Sequence, residues 1–324
     1  MKFIAFNGDA DGLCALQQLR LHEKAEEPIL ITGVKRDIDL VKRVEACPDD
    51  EVTVLDVSFD VNRAAVLRLL ENGVRVRYFD HHHAGELPRH IHLQAFIDTS
   101  PKVCTSVLAD RYLDGAHKAW AVVGAFGDNL DETARALAAE IDLPEMKVAV
   151  LRELGIALNY NAYGETVEDL YFAPADLHAR LRHYPHPLDF AFQDIAFAQL
   201  REGYKTDMSF GTQVKPHAES AHAALYLLPD EKWARRVSGV LASNLARKSP
   251  AKACAVVLAL KDGFQVSVRA PLQRPQGASA LCREFPTGGG REGAAGINQL
   301  PKDDLDRFAA RFLEHFSRAA KVSA

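Results

Sequence analysis

Five aspartates and three consecutive histidines stand where short apolar runs stop. Asp9 and Asp11 follow "KFIAFNG", Asp56 sits inside "VTVLDVSFD", Asp80, His81, His82 and His83 follow "VRVRYF", and Asp128 follows "AWAVVGAFG". Each stretch alone has an ordinary reading: "DADG" and "GDN" suit turns, and "DHH" suits a solvated loop. Together, in order and each after an apolar run, they suggest one shared edge. Carboxylates crowded without partners repel one another and raise their own pKa values. A bound dication removes that conflict. Carboxylate oxygens mixed with imidazole nitrogens suit Mn²⁺, Mg²⁺, Fe²⁺ or Zn²⁺. Two such ions bridged by one aspartate would activate water and clamp a phosphoryl group.

That edge needs a sheet to build it. "KFIAF", "PILITGV", "EVTVLDVSF" and "VRVRYF" read as strands, and "HLQAFIDT" reads as one more. Between them "DGLCALQQLRLH", "DIDLVKRVEA" and "NRAAVLRLLENG" read as helices, the last closed by Gly73. The alternation predicts an α/β fold with a doubly wound parallel sheet. In such sheets ligands bind beyond the carboxyl ends of the strands, where these acids fall. Helices are expected to dominate from Val103 to about Tyr160, with Thr105 and Ser106 opening one of them as N-cap residues. The prolines of "RLRHYPHPLDF" mark a boundary near residue 185. Beyond it, "DEKWARRVSGVLASNLARKS" is an amphipathic helix, and Lys261-Asp262-Gly263 turns a hairpin inside "ACAVVLALKDGFQVSVRA". "TGGGREGAAG" and a last helix complete a smaller α+β domain.

Composition sets outer limits. At 324 residues the chain exceeds one ordinary core. It is 48% hydrophobic and 26% charged, within the usual globular range. Its net charge of -5 leaves no broad basic footprint for long duplex nucleic acid. No apolar run approaches the roughly 20 residues of a membrane helix. The opening "MKFIAFNGDADG" carries no secretory pattern, and five scattered cysteines without a CxxC pair fit a reducing cytoplasm.

The motifs "NGDADG", "VLDVSFD", "FDHHHAG" and "AFGDN", followed by "GGGREGAAG", resemble in order those of the DHH phosphoesterase superfamily. That superfamily includes RecJ-type exonucleases, oligoribonucleases, cyclic-dinucleotide phosphodiesterases, and family II pyrophosphatases and exopolyphosphatases. The resemblance implies a DHH metal-binding catalytic domain over 1–190. It implies a connecting helix and a DHH-associated substrate-binding domain over 191–324. It makes Asp9, Asp11, Asp56, His81 and Asp128 the ligands of two Mn²⁺ ions, with Mg²⁺ or Co²⁺ as substitutes and Asp56 as the bridge. His82 would meet the substrate phosphate, and Asp80 would orient the histidine pair. Asn7, Arg269, Gly288, Gly289, Gly290 and Arg291 would face the substrate. His83 would be a solvated spare.

Two positions depart from the pattern. Many relatives carry histidine where this chain has Asn7, a weaker ligand, and histidine where it has Arg291. The implied activity is metal-dependent hydrolysis of phosphate esters in short oligonucleotides or phosphorylated nucleotides by a cytoplasmic monomer or homodimer. The rival readings are a pyrophosphatase or exopolyphosphatase, and a nucleotide or metal sensor that does not hydrolyse.

Overall fold

The computed structural model describes residues 1–23 and 27–321. The chain divides into two compact units, Met1–Gly203 and Tyr204–Ala324.

The first unit opens with β1 (Lys2–Phe6), α1 (Ala10–His22), β2 (Ile29–Ile31), β3 (Glu51–Leu55), α2 (Phe59–Glu71), β4 (Arg75–Asp80) and β5 (Leu93–Ile97). The five strands pair in the order β2-β1-β3-β4-β5, every pair parallel. In β1, Phe3 and Ala5 enter one apolar cluster while Ile4 and Phe6 enter another. The same alternation puts Val76 and Tyr78 of β4 on one face and Phe79 on the other. Side chains alternate along a strand, so a sheet covered on both faces reads as an unbroken apolar run. Strand order reverses at β1, with β2 on one side and β3 on the other. The crevice at such a reversal opens past the carboxyl ends of β1 and β3.

One face is covered by α1 and by α3 (Thr105–Tyr112), α4 (Lys118–Gly127), α5 (Asp131–Glu140), α6 (Glu145–Tyr160), α7 (Pro174–Leu181), α8 (Pro187–Gln193) and the start of α9 (Ile195–Gln213). Trp120 is fully buried there, and its indole N–H donates to the Pro185 carbonyl at 3.0 Å. The other face is covered by α2 and a short 3₁₀ turn at Leu40–Arg43. That turn is all that forms of the helix expected over "DIDLVKRVEA". Asn62 of α2 explains it: its Oδ1 accepts from the Val41 N–H at 3.1 Å and its Nδ2 donates to the Ile38 carbonyl at 2.7 Å. Backbone groups that a helix would pair internally are held from outside instead.

The α4 helix approaches its neighbours unusually closely. A methyl group added at Gly127 would lie 2.2 Å from the Ala10 side chain and 3.0 Å from the Gly155 carbonyl oxygen. The division between units falls after Gly203, inside α9, later than residue 190. Pro187 takes the first turn of α8, where its missing N–H costs nothing, and so starts a helix rather than a linker.

The second unit contains β6 (Ala218–Glu219), β7 (Ala223–Leu228), α10 (Lys232–Lys248), β8 (Ala253–Leu260), β9 (Gly263–Arg269), α11 (Ala278–Cys282), β10 (Gly288–Gly290), β11 (Ala294–Leu300) and α12 (Leu305–Lys321). Its sheet runs β10-β11-β9-β8-β7-β6, parallel only between β7 and β8. Phe308, Phe312 and Phe316 recur every four residues on α12 and fill one of its cores. The α10 helix covers the other core through Ala234, Leu241 and Ala242. Among the described residues no helix is long and apolar enough to cross a membrane. All five cysteines are free thiols, and only Cys47 is exposed.

Candidate metal centre

At the carboxyl end of β1 the "NGDADG" stretch is first a helix cap. One Asp9 oxygen accepts from the N–H groups of Asp11 at 3.0 Å and Gly12 at 3.1 Å, a strong N-cap for α1. Asn7 Oδ1 accepts from the Asp9 N–H at 3.3 Å. The other Asp9 oxygen takes the ammonium of Lys35 at 2.5 Å. Burial would raise the Asp9 carboxyl, and the Lys35 charge more than offsets it, so Asp9 is held below the usual carboxylate range.

Asp11 reaches across to α3. Its two oxygens accept from the N–H groups of Thr105 at 2.6 Å and Ser106 at 2.7 Å. These are the first donors of a helix whose own N-cap residue, Cys104, makes no side-chain cap. Asp11 therefore caps α3 from another element and sits against its positive end. Thr105 and Ser106 do not act as N-caps. Thr105 Oγ1 instead donates to Asp56 Oδ1 at 3.1 Å.

Asp56 follows β3 with a φ of 58°, a left-handed conformation that costs a non-glycine residue roughly 1–2 kcal/mol. Its backbone N–H still donates to the Phe79 carbonyl at 3.0 Å, so the strain turns the side chain without breaking the ladder. Burial, then the charges of Asp9, Asp11 and Asp128, pushes the Asp56 carboxyl well above its ordinary value. Asp128 ends α4, where helix carbonyls already point. Burial, with Asp11 and Asp9 nearby, pushes its carboxyl up to about 7.

His81 and His82 diverge after β4. His81 Nε2 lies 3.4 Å from Asp56 Oδ1 and 3.8 Å from Asp128 Oδ2. His82 turns back, its Nδ1 at 2.7 Å from Asp80 Oδ1, which also accepts the His82 N–H at 3.1 Å. Asp80 is fully buried, and its second oxygen takes the Phe59 N–H at 3.2 Å. Asp80 therefore fixes His82, and Nε2 is the ring nitrogen it leaves unengaged. The Asp80 hydrogen bond, against burial, raises the His82 pKa. His83 is exposed, and only its carbonyl is engaged, by Ser58.

The donor set fits a divalent ion. Two triads place ligand atoms within 4.8 Å of one another, Asp56–His81–His82 and Asp11–His81–Asp128, and they share His81. Mixed carboxylate and imidazole donors suit Mn²⁺ and its neighbours. Asp9 belongs to neither triad. Three residues at the centre escape a survey of acids and imidazoles: Lys35, Thr105 and Ser106. Lys35 follows β2, whose end contributes no acid to the expected ligand set, and the α3 pair act mainly through backbone N–H groups.

The remaining expected residues lie in the second unit. Arg269 ends β9, where Nε donates to Ser243 Oγ at 3.2 Å and a terminal nitrogen donates to the Val268 carbonyl at 3.1 Å. Gly288, Gly289 and Gly290 form β10, an edge strand paired antiparallel with Ile297, Gly296 and Ala295. Arg291 is exposed in the turn that follows. A cavity of about 520 Å³ opens at the opposite, amino-terminal end of the first sheet. Its charges are committed to one another, Arg77 to Glu23 and Arg75 to Glu51, so it offers no convergent donor set.

No family model matches the chain, and no curated protein matches it. Solved structures do. A manganese-bound exonuclease RecJ is 19% identical, with a TM-score of 0.63 over 98% of this chain and 90% of that one. RecJ from Thermus thermophilus in complex with Mn²⁺ is 17% identical, with a TM-score of 0.59, and this chain spans 52% of its length. A pGpG-specific phosphodiesterase, PggH from Vibrio cholerae, is 14% identical with a TM-score of 0.59, over 98% of this chain and 99% of that one. The chain shares the fold of these RecJ and phosphodiesterase structures.

Proposed function

We propose that this protein is a metal-dependent phosphoesterase, a hydrolase acting on short oligonucleotides or phosphorylated nucleotides. One observation carries the reading: Asp11, Asp56, His81 and Asp128, from four separate segments, supply ligand atoms to two groups that share His81, one of them completed by His82. These four residues would hold the ion, with Mn²⁺ the first choice. A bound dication supplies Lewis acidity toward a phosphoryl oxygen and lowers the pKa of water.

The chain's own groups do the rest. Thr105 orients Asp56 through its hydroxyl, and the α3 amides fix both oxygens of Asp11. Asp80 holds Nδ1 of His82, so that Nε2 presents a proton to the phosphoryl or leaving oxygen. In the second unit, Arg269, Arg291 and the glycine strand are proposed phosphate contacts in their own right.

The test is a hydrolysis panel on chelator-stripped protein resupplied with Mn²⁺, Mg²⁺, Co²⁺ or Zn²⁺. Substrates are a di- to pentanucleotide ladder, 3′-phosphoadenosine 5′-phosphate, cyclic dinucleotides, pyrophosphate and polyphosphate. Turnover of nucleotide substrates is expected with Mn²⁺ and should vanish in Asp56→Ala. Turnover confined to pyrophosphate or polyphosphate would transfer the protein to the rival phosphatase reading. Bound metal without any turnover would leave the sensor reading standing.

A further inference from the structure

We propose that the Lys35 ammonium is the resident second cation of this centre, so that the site takes one divalent ion rather than two. The inference rests on the metal-dependent reading above and specifies its stoichiometry.

The carboxyl end of β1 offers little to a second ion. Asp9 spends one oxygen on the first amides of α1 and the other on Lys35. Asn7 is neutral, and its side-chain oxygen already accepts the Asp9 N–H. Both triads of converging ligand atoms include His81, and neither includes Asp9.

Lys35 is built into this place. Its nitrogen donates to Asn159 Oδ1 at 3.3 Å as well as to Asp9, and it lies 5.6 Å from the centre of the Tyr163 ring. Asn159 is 9% exposed, on α6, so the ammonium is held between the cap of α1 and the end of α6. The Lys35 N–H also donates to the Ala162 carbonyl at 2.9 Å, which anchors the loop bearing it. A lysine ammonium is a compact point charge with three donors, the shape of substitute that a small cation position requires.

Charge balance agrees. Asp9, Asp11, Asp56 and Asp128 bring four formal negative charges. One ammonium and one dication leave a single negative charge, whereas a second dication would leave an excess of positive charge before any substrate arrives. A fixed ammonium also stabilises charge developing on a transferring phosphoryl group without reorganising.

Metal stoichiometry tests this on the full chain. Chelator-stripped protein is titrated with Mn²⁺ by calorimetry, and bound manganese is counted by atomic emission after gel filtration. Wild type should bind one equivalent and show the six-line paramagnetic resonance spectrum of an isolated Mn²⁺. Lys35→Met, and more strongly the double variant Asn7→His with Lys35→Ala, should double the stoichiometry to two. Two equivalents in wild type, or the broadened spectrum of a coupled Mn²⁺ pair, would overturn the proposal without help from any variant. One equivalent in wild type and in both folded variants would overturn it too, by showing that Lys35 excludes nothing. No bound Mn²⁺ in wild type would instead strike the metal-dependent reading itself.

Discussion

His82 and His178 are shifted in opposite directions. A hydrogen bond from its ring to Asp80 raises His82. His178, on α7, is 4% exposed, its Nε2 finds no partner, and burial with Arg20 and Arg182 nearby lowers it to about 4. A histidine lowered in the folded state costs nothing while both states are neutral. Below its unfolded value near 6.5, only the unfolded chain takes up the proton, and stability is lost until pH falls past about 4. By pH 5 that loss is about 2 kcal/mol. Urea unfolding of wild type and His178→Leu at pH 7.5 and pH 5 should show the variant losing less by about this amount; equal losses would mean His178 does not stay neutral. At this scale the acids and histidines of the centre were legible, because carboxylate and imidazole announce metal chemistry by type. Lys35 was not, since a lysine after a strand has many ordinary uses and only its partner in space distinguishes it. Thr105 and Ser106 look like caps in sequence, yet the donor that matters at α3 is backbone and its acceptor, Asp11, is distant in sequence.

Elements place these groups, and α4 does so with the least slack. Gly127 lets α4 lie against Ala10 of α1, and Asp128 is the next residue. Gly127→Ala forces a methyl group into that contact, an overpacking cost of about 1–3 kcal/mol. The helix end should shift and carry Asp128 away from His81. Mn²⁺ affinity is then expected to fall at least tenfold, in the range seen when ligand orientation is disturbed. Calorimetry alongside urea unfolding checks both effects, and an unchanged affinity would mean the position of Asp128 is not set by this contact. The strands and most helices were readable because their periodicities agree with the burial they reach. The stretch "DIDLVKRVEA" was not, because a helical spacing in sequence yields to Asn62 capturing its backbone. The glycine run pairs as an edge strand, and only Gly290 of the three takes a positive φ, at 134°.

For the whole molecule, length alone points to two cores; the chain divides into its two compact units inside α9, after Gly203, whereas the prolines near residue 185 are the boundary mark visible in sequence. The stretch from about 150 to 235 holds no readable motif for a physical reason. Its apolar residues, such as Leu154, Leu158, Leu177 and Phe190, serve the first core and present no chemistry. The ring of aspartates at that core's edge has a consequence for the protein's lifetime. Burial and neighbouring charges push the Asp56 and Asp128 carboxyls up, so the fold without an ion works against itself there. Asparagine tolerates the left-handed backbone of residue 56, so Asp56→Asn removes charge and leaves the turn in place. In chelator the variant should melt a few degrees above wild type, on the order of 1–2 kcal/mol. With saturating Mn²⁺ the order should reverse, because only wild type gains the ion's binding energy. Wild type melting above the variant even in chelator would mean the carboxylates are relieved by other means. If the crossing appears, metal supply sets how long each copy survives proteolysis, and the protein's abundance becomes a readout of the manganese around it.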